Sequence, residues 1–113
     1  MERIFEQVLL YDFYGELLTE HQRNIYEDAV FNDMSLSEIA EVQGISRQGV
    51  HDLIKRCDKI LQDYESKLHL VERFDKAKAK VSEMVTLTQD VDGDATRRME
   101  KICQLSQELM KEL

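Results

Sequence analysis

SLSEIAEVQGISRQGVHDLIKR, residues 35–56, carries the spacing of a helix-turn-helix. A short first helix needs a small side chain where a second helix crosses it, and Ala40 supplies one. Gly44 then sits where the linking turn requires positive φ, a conformation that glycine adopts at little cost. Ile39, Ile45, Val50 and Leu53 are the apolar residues that lock the two helices against a third. Ser46 offers a hydroxyl to cap the second helix, which leaves Arg47, Gln48, His51, Asp52 and Lys55 on its outer side. Those are the positions that face a major groove when such a motif docks on duplex DNA.

Upstream, Ile4, Phe5, Val8, Leu9 and Phe13 recur at near-helical intervals and predict a leading helix from Glu2 to about Tyr14, interrupted by Gly15. Thr19-Glu20-His21-Gln22 and Ser35-Leu36-Ser37-Glu38 both have capping-box spacing: the hydroxyl accepts from the amide three residues on, and the Gln or Glu side chain reaches back. The first box opens a helix to about Phe31, the second opens the first motif helix. Beyond Ser46, the residues Val50, Leu53, Ile54, Cys57, Ile60, Leu61 and Tyr64 keep one helical stripe. The second motif helix is therefore longer than base reading requires, and its far end must pack on something else.

In the second half, Leu68, Val71, Phe74, Ala77, Val81, Met84 and Thr88 step by three or four residues, the pattern of a long amphipathic helix. Asp92-Gly93-Asp94 breaks it, and Asp94 can cap the next helix, where Ala95, Met99, Ile102, Leu105, Leu109 and Leu113 form a near-heptad stripe. The expectation is an all-α chain: a four-helix helix-turn-helix head over residues 1–66 and an antiparallel helical hairpin tail over residues 67–113. Leu70, Val85, Leu87, Cys103 and Met110 are left over and need a further surface, which dimerisation supplies. A two-fold homodimer would set two recognition helices on adjacent turns of DNA.

With YDFYGELLTEHQRNIY upstream and ILQDYESKL downstream, the motif resembles the YlxM-like helix-turn-helix family, itself similar to region four of bacterial sigma factors. The resemblance runs in one register from Tyr11 to about Leu68. It implies a sigma-region-four-like head in a small bacterial cytoplasmic protein, a non-enzymatic regulator linked to the signal recognition particle pathway through gene neighbourhood. Two residues depart from region four. Gly49 stands where a larger side chain is usual, and Asp52 puts an acid on the face that approaches DNA; both lower the expected affinity.

Charge bears on the same question. The formal net charge of −8 opposes approach to a polyphosphate, because non-specific affinity comes from lysines and arginines that displace counterions. Its distribution is uneven. From Glu20 to Glu41 six acids face one base, Arg23, whereas from Ser46 to Leu61 four bases (Arg47, Lys55, Arg56, Lys59) face two acids, Asp52 and Asp58. With a Debye length of about 8 Å at physiological salt, nearby charges dominate what a docked phosphate feels. Arg47, Gln48 and His51 are thus the candidates for base edges. Lys55 and Arg56, with Arg23 from the preceding helix, are the candidates for phosphates.

Other chemistries find no support in the residues. There is no glycine-rich phosphate loop, no serine elbow and no His-Glu metal spacing, so no enzymatic activity, cofactor or metal is expected. His21, His51 and His69 share no helical spacing, and Cys57 and Cys103 lack CxxC spacing and read as free thiols. No apolar run is long enough for a bilayer and no secretory leader is present, so no membrane insertion is expected and the cytoplasm is the expected location. Two readings stay open: a regulator that binds double-stranded DNA, and a module that uses the same fold to dock protein or RNA, including signal recognition particle components.

Overall fold

Side-chain caps set the helix boundaries of the first half. The computed structural model describes residues 2–90 and 93–112; Asp92 of the expected break and Leu113 of the expected stripe lie outside the described residues. Helix α1 spans Glu2–Tyr14, a 3-10 turn covers Gly15–Leu17, and α2 (Glu20–Val30), α3 (Leu36–Gln43) and α4 (Arg47–Leu68) follow. The Thr19 hydroxyl accepts from the Gln22 amide at 3.2 Å while the Gln22 side chain accepts from the Thr19 amide at 3.0 Å. Ser35 and Glu38 repeat the exchange at 3.1 and 3.0 Å. At the head of α4 the Ser46 hydroxyl accepts from the Gly49 amide at 2.9 Å. Each bond satisfies an amide that has no partner inside its helix. Helix α3 ends at Gly44, whose φ of 67° and ψ of 32° are left-handed, as the turn requires.

Two apolar clusters hold residues 1–71 together as one compact unit. Ile25, Ile39, Ala40 and Val50 form the first, under Leu36, Ile45, Leu53 and Ile54, so the small Ala40 does lie at the α3–α4 packing. Leu10, Tyr14, Leu18, Tyr26, Cys57 and Leu61 form the second, which occupies the far half of α4. Helix α1 turns a different face to this core than its apolar spacing predicts. Leu10 and Tyr14 are buried, whereas Ile4 and Phe5 are 58% and 70% exposed. The inner positions suit tyrosine because its hydroxyl finds a partner: Tyr14 donates to Glu65 Oε1 at 2.6 Å, and half-buried Tyr11 donates to Glu27.

Leu68, grouped by its spacing with the next helix, is the last residue of α4, and His69 caps that helix with a left-handed φ of 57°. Helix α5 spans Leu70–Gln89. Its first two residues belong to the first unit, where Leu70 N–H donates to the Tyr14 hydroxyl at 3.0 Å and Val71 N–H to Glu65 Oε1 at 2.9 Å.

Residues 72–113 form a second compact unit. Asp94 Oδ1 accepts from the Thr96 amide at 2.9 Å and opens α6 (Ala95–Glu112). The Lys80 ammonium reaches Glu112, and Glu108 at 3.7 Å, so α6 runs back antiparallel along α5. Leu105 is buried, Ala77, Met84, Leu87, Ile102 and Leu109 are half-buried, and Met99, counted with the same stripe, is exposed. No strand occurs among the described residues.

Candidate nucleic-acid interface

The cap on Ser46 leaves the first turn of α4 at the surface. Arg47 and Gln48 are exposed there, and with His51 and Leu36 they line an open depression of about 410 Å³. Asp52 lies among them: Gln48 Nε2 donates to its Oδ1 at 3.0 Å, and His51 Nδ1 stands 3.7 Å from the same oxygen. The acid that departs from region four therefore engages the Gln48 amide. Gly49 also has a local reason. A Cβ at this position would stand 3.1 Å from the Ser46 hydroxyl and 3.9 Å from Ile45 Cδ1, so a side chain would crowd the atom that caps the helix.

Farther along, Lys55 and Arg56 are exposed. Lys55 shares a groove of about 630 Å³ with Arg3, Lys59 and Gln62, where Glu6, Asp58 and Asp63 also line the wall. Asp58 is turned inward. It accepts from the Tyr26 hydroxyl at 2.5 Å, from Gln7 at 2.9 and 3.2 Å, and from Arg3 at 3.4 Å. Its side chain is 15% exposed against 65% for Asp52. The most exposed acid of this stretch is therefore Asp52, against exposed Arg47, Lys55, Arg56 and Lys59, while Asp58 keeps its charge and engages its oxygens with Tyr26, Gln7 and Arg3.

Arg23 is half-buried on α2, close enough to Tyr11 for its charge to favour the phenolate. It does not line the depression with Arg47. Arg3, by contrast, joins Lys55 and Lys59 although it lies outside the motif. No local signal marks Arg3; only the packing of α1 on α4 brings it there. Burial pushes the Cys57 thiol up to about 11, which keeps it protonated and unreactive near neutral pH. Among the described residues no cluster of His, Cys, Asp and Glu could hold a metal ion, and no helix is long and apolar enough to cross a membrane.

Comparison with known proteins agrees with the helix-turn-helix fold. The family model described as "Putative helix-turn-helix protein, YlxM / p13 like" matches residues 1–108. A UPF0122 protein of Caldanaerobacter subterraneus subsp. tengcongensis is 50% identical over 76 residues, 67% of this chain and 65% of the relative's length. One from Desulforamulus reducens is 43% identical over 94 residues, 82% and 80% of the two chains. One from Clostridium perfringens strain SM101 is 39% identical over 109 residues, 90% and 97% of the two. With α3 and α4 packed through Ala40 and turned at Gly44, the chain belongs to this YlxM/p13-like helix-turn-helix family.

Proposed function

We propose that this protein binds duplex DNA by presenting the first turn of α4 to the major groove, and that it acts as a non-enzymatic regulator. The supporting observation is the shared depression of Arg47, Gln48 and His51 at the capped start of α4, with Lys55 and Arg56 exposed farther along the same helix. Groups at the N-terminal end of a recognition helix reach base edges, and cations farther along meet phosphates. Arg23 is the weakest member of the set, since it sits by Tyr11. The family resemblance connects the regulatory role with the signal recognition particle pathway in the bacterial cytoplasm. Gel-shift measurements with genomic DNA fragments, titrated with salt, test the reading: binding that weakens linearly in log salt supports it.

Two observations favour a second reading. Residues 1–71 carry fourteen acids against seven bases, and Asp52 holds the Gln48 amide. If the protein shows no DNA binding even at low salt, where attraction is strongest, the same face is a docking module for protein or RNA, with signal recognition particle components as the class to test.

A further inference from the structure

The hairpin of α5 and α6 leaves one side apolar. Each helical residue advances by about 100°, and two side chains show where each helix faces the other: Lys80 through its pairs with Glu108 and Glu112, and Leu105 through its burial. Counted from Lys80, Val81, Phe74 and Val85 lie roughly 100°, 120° and 140° round α5, and counted from Leu105, Met99, Met110 and Cys103 lie roughly 120°, 140° and 160° round α6 in the same sense. Because the helices are antiparallel, rotations in the same sense bring both stripes to the same side. The five large apolar side chains are 44% to 76% exposed and Cys103 is exposed beside them.

We propose that this face seats a second copy of the chain, two hairpins packing face to face about a two-fold axis as a four-helix bundle. Three observations select that occupant. The hairpin fully buries only Leu105 among its described residues, whereas stable folds need a second packed layer. The five side chains expose on the order of 500 Å² per copy, so an isologous contact covers about 1,000 Å², the lower bound for a specific interface. Charge decides between this face and the other exposed apolar patch, around Phe5 on α1. Residues 72–113 hold eight bases and nine acids, so two copies meet here with little repulsion, whereas residues 1–71 hold fourteen acids against seven bases. The assembly does not depend on DNA binding, and its test is separate.

Sedimentation or light scattering of the full chain at micromolar concentration should give twice the 13.3 kDa chain mass. Val81→Lys with Met110→Lys, both at exposed positions, should weaken association about tenfold or more and keep the helical circular dichroism. Phe5→Glu should leave the dimer intact. A flexible bismaleimide should join wild-type chains through exposed Cys103, and Cys103→Ser should abolish the product, because Cys57 is buried. That cross-link reads the face directly even if the double variant misfolds. The proposal is overturned by a wild-type monomer at about 100 μM, far above the range of specific dimers. It is equally overturned by a dimer that Phe5→Glu disrupts, by a folded double variant that stays dimeric, or by a dimer that Cys103 does not cross-link.

Discussion

The side-chain amide of Gln48 is tied to the carboxylate of Asp52 one turn along α4, donating to Oδ1 at 3.0 Å on the exposed face of the helix. An acid here both occupies a candidate base-reading group and repels phosphate. Asp52→Asn should therefore tighten DNA binding by a few-fold to tenfold, roughly 1 kcal/mol, at low salt. The gain should shrink as salt rises, since the repulsion is screened. Gel shifts at two salt concentrations check this; equal or weaker binding by the variant would place Asp52 away from the phosphates.

Arg47 and Lys55 should separate by the kind of loss they cause. Arg47→Ala should cost about 1–3 kcal/mol against a preferred site and flatten the sequence preference. Lys55→Ala should weaken all DNA alike and reduce the salt slope by about one. Competition against random and selected duplexes distinguishes the two. A uniform loss for Arg47→Ala would move that residue from base edges to backbone.

Gly44 gives a test of the fold that does not involve DNA. Its φ is 67° and a Cβ there would meet nothing within 4 Å, so Gly44→Ala adds backbone strain without a clash. The expected cost is about 1–2 kcal/mol, the penalty for an L-residue in the left-handed region. Urea unfolding should show a lower midpoint with an unchanged slope. An unchanged midpoint would mean that the turn relaxes out of this conformation.

What the sequence makes legible here is what neighbours decide. Thr19 with Gln22, Ser35 with Glu38, and Ser46 with its own following turn are contacts three residues apart, and each helix start lies where its cap predicts. The inner face of α1 was not legible, because Phe5 on one side and Leu10 on another give the helix two apolar faces. The choice falls to Glu65 and Glu27, which accept from Tyr14 and Tyr11 at separations of 51 and 16 residues. Asp58 is similar: its donors Tyr26 and Gln7 lie 32 and 51 residues away, so a charge count along α4 could not show that its oxygens are engaged by α1 and α2.

The same long-range bonds make stability sensitive to alkali. Tyr11, Tyr14 and Tyr26 donate to Glu27, Glu65 and Asp58. Burial, then the bond to Glu27, pushes the Tyr11 phenol from its ordinary value near 10 up to about 12. Burial, then the carboxylate bond, raises Tyr14 and Tyr26 as well. The folded chain therefore holds protons that the unfolded chain releases above pH about 10, so this stabilisation is complete below that pH and is lost as pH rises through the folded values. Cys57, raised by burial from about 9 to about 11, adds an earlier loss, so urea midpoints should be level to about pH 8, begin to fall near pH 9 and fall more steeply above about pH 10, with tyrosinate absorbance rising as helix is lost. Tyr26→Phe should lower the level region by about 1–3 kcal/mol, because Asp58 loses a buried donor, and should make the alkaline fall shallower. If tyrosinate from all the tyrosines forms while the helical signal persists, these phenols are not what holds α1 and α2 against α4.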